Sequence, residues 1–143
     1  MSVGYAGREL AEFGAVLQAH NIRVLVDVRL TPLSRKPGFS KNRLAEYLQT
    51  IGITYLHEPL LGNPRDNRAA FGDPLTLADG RRRYRDRLRA KSRITALTEL
   101  VGLAERGPVA VLCVEREEDE CHRSVIIDAA LKMRPAMRVR AIA

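Results

Sequence analysis

Two short stretches limit what this chain can fold into more than anything else in it. Residues 22–28 read Ile-Arg-Val-Leu-Val-Asp-Val, and residues 109–114 read Val-Ala-Val-Leu-Cys-Val. A strand with one wet face alternates apolar and polar residues. Runs as continuous as these belong to strands buried on both faces, as in parallel sheets covered by helices. Helical periodicity fills the spaces between. Leu10, Phe13, Val16 and Leu17 recur along residues 8–20, and Leu44, Tyr47, Leu48 and Ile51 follow Ser40, a residue type that caps helices. Two further helical stretches run over residues 92–105 and 121–133. Shorter strand candidates lie at 2–5, 53–57 and 137–142. Alternation of this kind implies right-handed crossovers. The expected fold is α/β: a single domain over residues 1–143, with a mostly parallel open sheet of about five strands and helices on both faces. A chain of 143 residues with 45% hydrophobic content can bury such a core. With aromatics at only 5% and no Trp, aliphatic side chains must build it.

One segment breaks the pattern. Residues 59–79 hold Pro59, Gly62, Pro64, Gly72 and Pro74 and read as a long irregular loop. Loops of that length are typically lids or binding loops. A basic helix follows, with arginine at 81, 82, 83, 85, 87 and 89, and only Tyr84 and Leu88 offer it an apolar contact. Residues 59–91 are therefore expected to form a loop and helix lid.

The charge balance is 24 Lys+Arg against 17 Asp+Glu, or +7. That excess suits an anionic partner, either a small molecule or a nucleic acid, and equally suits plain solubility. Residues 81–93, with Arg81, Arg82 and Arg85, would be the nucleic-acid contact face. Two cysteines are too few for a disulfide scaffold, and no stretch is long and apolar enough to span a membrane. The N-terminus lacks the features of a signal peptide, so a cytoplasmic location with free thiols is expected. Apolar residues along 94–103 leave a homodimer open.

In open parallel sheets ligands bind beyond the carboxyl ends of the strands. The chemically unusual residues gather there. After the first strand come Gly4, Tyr5 and Arg8, a glycine turn entering a helix that can present N–H groups to an anion, or simply turn tightly. After the second come Asp27 and Arg29, then Ser34, Arg35 and Lys36. Asp27 and Arg29 form either a structural ion pair or part of a phosphate or carboxylate pocket. After the third come His57 and Glu58, then Leu61-Gly62-Asn63, where His57 is a base, a ligand or a packing residue. After the fourth come Cys113, Glu115 and then Cys121-His122-Arg123, the densest group of reactive types in the chain.

Three roles are open to the two cysteines. Cys121 can be a nucleophile or redox thiol assisted by His122 or His57. Cys113, Cys121 and a histidine (His57 or His122) can hold a soft metal, although the spacing between the cysteines is not that of a zinc finger. Both can also be ordinary buried residues. A helix start lowers a thiol pKa, whereas Glu117, Glu118, Asp119 and Glu120 act in the opposite sense.

Together these motifs resemble the bacterial and archaeal domain of unknown function 488 family. The resemblance rests on Gly4-Tyr5, Asp27-Val28-Arg29 with Pro32 and Ser34, Phe39, Leu61-Gly62, and Cys113-x-Glu115 followed by Cys121-His122-Arg123. It implies an α/β domain with a shared polar site of cysteines, histidine and arginines, and it supplies no reaction and no cofactor. The leading expectation is a thiol-dependent hydrolase or transferase acting on a phosphate- or nucleotide-containing substrate. Cys121 would be the reactive thiol, and His122 or His57 would move protons. Arg29 and Arg123 would hold the anion, with Gly4, Tyr5, Arg8, Ser34 and Arg35 in support. Asp27 and Glu115 would orient these groups or act as acid and base.

Overall fold

A computed structural model describes residues 1–143 as a five-stranded, all-parallel sheet with six helices. In chain order these are β1 (Ser2–Gly4), α1 (Leu10–Ala19), β2 (Val24–Asp27), α2 (Lys41–Thr50), β3 (Thr54–His57), α3 (Arg65–Phe71), α4 (Leu77–Arg87), α5 (Lys91–Arg106), β4 (Val109–Cys113), α6 (Arg123–Met133) and β5 (Ala141–Ile142). The sheet order is β3-β2-β4-β1-β5. The expected α/β class holds, and the order is now defined.

Strand parity sorts the core into two halves, since successive side chains leave a strand on opposite faces. Ala110 and Leu112 of β4 pack with Phe13 and Leu17 of α1 and Leu44 and Leu48 of α2. Val109, Val111 and Cys113 of the same strand pack with Leu97, Leu100 and Val101 of α5 and Val125 and Ile126 of α6. So α1 and α2 cover one face, and α4, α5 and α6 cover the other. β4 lies between β2 and β1, whose following helices both go to the face that α6 does not occupy. Where neighbouring strands send their helices to opposite faces, a crevice opens at their carboxyl ends. The fold therefore opens a crevice at the end of β4.

Several local expectations change. Residues 59–79 are not irregular throughout: a 3-10 turn (Pro59–Leu61) and α3 lie within them. The inward face of α3 carries a polar Asn67, whose Nδ2 donates to Asn63 Oδ1 and to the Gly80 carbonyl, both at 3.0 Å. A helix that turns an amide inward lacks the apolar stripe by which periodicity is recognised. Ser40 precedes α2, but its hydroxyl accepts from Ser34 N–H and donates to the Ser34 carbonyl instead of capping the helix. α6 begins at Arg123, so Cys121 and His122 lie in the turn before it, and the fifth strand is only two residues long.

Tyr84 of α4 and Leu88 at its C-terminal end are buried in the core, and Leu77 at its start packs against the same cluster. Tyr84 is fully enclosed and its hydroxyl donates to the Leu61 carbonyl at 2.7 Å. Removing one partner of a buried hydrogen bond leaves the other unsatisfied. Tyr84→Phe is expected to cost about 1–2 kcal/mol in urea unfolding. A change below about 0.5 kcal/mol would mean that water reaches the Leu61 carbonyl.

Candidate functional site

Sheet register brings the strand-end residues into one row. Gly4 lies beside Cys113, and Asp27 lies beside both His57 and Leu112. Parity then divides the row's chemistry between the two faces.

On the α1/α2 face, Asp27 and Arg29 form a buried ion pair. Arg29 Nε donates to Oδ1 at 2.9 Å and Nη2 to Oδ2 at 2.7 Å, and the Arg29 backbone N–H also donates to Oδ1. Tyr55 donates its hydroxyl to Oδ2 at 2.5 Å. Arg29 Nη1 donates to the Phe39 carbonyl at 2.7 Å, and Phe39 stacks on Tyr5 with ring centroids 4.4 Å apart. Burial opposes the charge on Arg29, but Asp27 and Tyr5 outweigh it and hold the guanidinium above its ordinary pKa. Burial and the bond to Asp27 push the Tyr55 hydroxyl up. This cluster fastens the loop after β2 to the sheet edge and fixes Arg29 in one orientation.

On the α5/α6 face, Cys113 Sγ, Cys121 Sγ and His122 Nδ1 lie within 4.8 Å of one another, and all three residues are buried. Cys121 Sγ and His122 Nδ1 are 3.5 Å apart. His122 Nε2 is 3.1 Å from the Val28 carbonyl. A carbonyl can only accept, so Nε2 carries the proton of that bond. The imidazole packs edge-on against Tyr84, with ring centroids 5.1 Å apart. Cys113 is pushed well above an ordinary thiol by its hydrogen bond with Cys121 and by burial. Burial alone would raise Cys121 as well, but Cys113, His122 and the charge of Arg123 together hold it well below the ordinary value. Burial and the neighbouring Cys121 raise Glu115, whose Oε2 has no hydrogen-bond partner.

The two faces meet in a cleft of about 50 Å³ lined by Arg29, Asn63, Arg68, Cys113 and His122, among others. A far larger cavity of about 490 Å³ lies at the opposite end of the sheet, among Leu100, Val101, Ile127 and Met137. Its lining has no cysteine or histidine, and its one acid, Glu105, is tied to Arg134. Size favours the large cavity, but the reactive side chains converge on the small one.

The remaining expected residues occupy other places. His122, and not His57, completes the group with the two cysteines, because it adjoins Cys121 before α6. His57 instead meets the Arg29 carbonyl through Nε2 at 2.8 Å. Arg123 is fully buried and donates to the Glu115 and Glu117 carbonyls, holding the loop after β4 and not the cleft. Arg8 is likewise buried and donates to the Gly4 carbonyl at 2.8 Å. Burial, with Arg116 and Arg123 close by, lowers its pKa. Gly4 and Tyr5 form the seam between β1 and these loops. Ser34 accepts from Lys36 N–H, and Arg35 is exposed, outside the cleft lining. Arg68 and Tyr84 had no place in the sequence reading of the site. One sits in the unrecognised helix α3, and the other is the single aromatic in an arginine run. That run is interleaved with acids: Arg82 and Arg83 pair with Asp79, Arg87 with Asp66, and Arg89 with Asp86.

A family model for the domain of unknown function DUF488 matches residues 9–130. The chain belongs to the DUF488 family. The match covers Asp27, Arg29, Cys113, Glu115, Cys121, His122 and Arg123, while β1 with Gly4, Tyr5 and Arg8 lies before it. No curated protein and no solved structure matches the chain. No helix is long and apolar enough to cross a membrane.

Proposed function

We propose that this DUF488 protein is a small enzyme that takes an anionic, phosphate- or nucleotide-containing substrate into the cleft at the end of β4. It acts there through the Cys121–His122 pair. One observation carries the reading: two arginines, Arg29 and Arg68, face the same small cleft as Cys113 and His122, with Cys121 directly behind His122. Guanidinium groups match the geometry of phosphate oxygens. Asp27 and the Phe39 carbonyl take most of the Arg29 donors, so Arg29 forms a fixed wall of the cleft and Arg68 supplies its unpaired positive charge. Arg68 is exposed and free to close on it. His122, anchored by Val28 and backed by Tyr84, moves protons at Nδ1.

The test is calorimetric titration with inorganic phosphate and a panel of nucleoside phosphates, followed by turnover assays on those that bind. Binding is expected to weaken about 10- to 100-fold in Arg68→Ala, the range for one hydrogen bond to a charged group. The melting temperature should not change, since Arg68 is exposed. Cys121→Ser should bind and fail to turn over. Absence of binding by every anion tested, or binding indifferent to Arg68→Ala, would defeat the reading.

A further inference from the structure

We propose that Cys113 Sγ, Cys121 Sγ and His122 Nδ1 bind one zinc-class divalent ion, with the remaining coordination position open to the cleft between Arg29 and Arg68. The inference rests on the enzymatic reading only for the anion that enters the cleft, and it replaces the rest: a metal on Cys121 Sγ and His122 Nδ1 takes the thiolate and the lone pair that the metal-free reading uses as nucleophile and proton carrier.

The donor set comes first. Two sulfurs and an imidazole nitrogen select soft or borderline metals and disfavour magnesium and calcium. Three protein donors with a vacant fourth position are the pattern of catalytic zinc, whereas structural sites are closed by four. Here the group contains three, and two of them, Cys113 and His122, line the cleft. The geometry is close to what coordination needs. Zinc–sulfur and zinc–nitrogen bonds at tetrahedral angles place sulfur and nitrogen about 3.6 Å apart. Cys121 Sγ and His122 Nδ1 are 3.5 Å apart.

The outer contacts fit too. A metal-bound histidine usually donates its other ring N–H to a carbonyl or carboxylate, which fixes the tautomer. His122 Nε2 makes that bond to the Val28 carbonyl, so in the neutral ring the Nδ1 lone pair faces the sulfurs. Tyr84 holds the ring plane. Loading forms two metal–sulfur bonds and one metal–nitrogen bond, and releases to solvent any proton still on sulfur. Two thiolates neutralise a divalent ion, so the charge of the exposed Arg68 remains available to an anion whose oxygen takes the open position, while Arg29 stays paired with Asp27. The bound ion would polarise that oxygen as a Lewis acid.

The experiment begins with elemental analysis of untagged protein purified under reducing conditions without chelator. About one equivalent of zinc per chain is expected. Chelator-stripped protein is then titrated with zinc against a chromophoric competitor, and separately with cobalt(II). Cys113→Ser, Cys121→Ser and His122→Ala should each weaken zinc binding by more than the roughly 10- to 100-fold typical of outer partners. His57→Ala should leave it unchanged. Where a variant does not fold, the cobalt spectrum of the unmodified protein decides. A thiolate-to-cobalt charge-transfer band supports the site, and its absence overturns it. Failure of the stripped protein to bind zinc, or undiminished binding in both serine variants, also overturns it. Zinc binding without anion binding would leave this site standing and remove the enzymatic reading. Phosphate binding and turnover by metal-free protein would do the reverse.

Discussion

Replacing Asp27 by alanine is expected to remove about 3–5 kcal/mol of stability, the typical cost of breaking one half of a buried ion pair. The carboxylate is fully enclosed and accepts from the Arg29 guanidinium, the Arg29 backbone N–H and the Tyr55 hydroxyl. Its loss leaves a buried guanidinium with only the Phe39 carbonyl and a weak contact to the Tyr5 hydroxyl. Domains of this size are stable by roughly 5–15 kcal/mol, so the variant should unfold at much lower urea. Asp27→Asn, which keeps the volume and one acceptor, should lose less. The combined variant Asp27→Ala with Arg29→Met should recover part of the loss, because no orphaned charge remains. Equilibrium urea unfolding followed by circular dichroism measures all three. A loss below about 1 kcal/mol for Asp27→Ala would mean that water enters the cluster. Strict additivity in the double variant would mean that the two residues do not act as a pair.

A methyl group on Gly4 should disturb the site more than any other single-carbon change. A Cβ there would stand 1.8 Å from the Glu115 carbonyl oxygen, 2.5 Å from its carbon and 2.8 Å from Arg116 Cα, all main-chain atoms. No rotamer change can relieve contacts with backbone, so the loop after β4 must move. That loop joins Cys113 to Cys121 and is held by Arg123. Gly4→Ala is expected to cost about 1–3 kcal/mol, as overpacking does. It should also weaken zinc binding at least about tenfold, or ~1.4 kcal/mol. Gly52→Ala is the matched control. Its φ is +78°, so alanine is strained there, but nothing lies within 4 Å of the new carbon. It should lose roughly 1 kcal/mol through backbone strain alone and leave zinc affinity unchanged. Equal zinc affinity in wild type and Gly4→Ala would show that the loop yields without moving the sulfurs.

Much of the architecture was legible in the chain because burial writes itself into periodicity. The continuous run before Asp27 and the one ending at Cys113 could only be central strands, and both are. Helix α3 left no periodic signal because its inward face carries Asn67, whose Nδ2 donates to Asn63 and to the Gly80 carbonyl. A polar side chain turned inward and held by hydrogen bonds interrupts the apolar stripe that marks a helix. Tyr84 was visible as the one aromatic of its helix, but nothing in its neighbourhood pointed to His122, 38 positions later.

The sequence by itself determined that reactive residues stand just beyond strand ends, since strand boundaries and residue types are both local properties. It also determined the facing of Cys113, which must share its side with Val109 and Val111 because strand side chains alternate. Which histidine meets the sulfurs was decided only by the tertiary structure. Insertion of β4 between β2 and β1 brings the start of α6 over the end of β2, so that Val28 holds His122 beside Cys121. His57, one strand further out, is left to the Arg29 carbonyl. Strand order follows from how the whole set of helices and strands packs at once, and no stretch of residues records it alone.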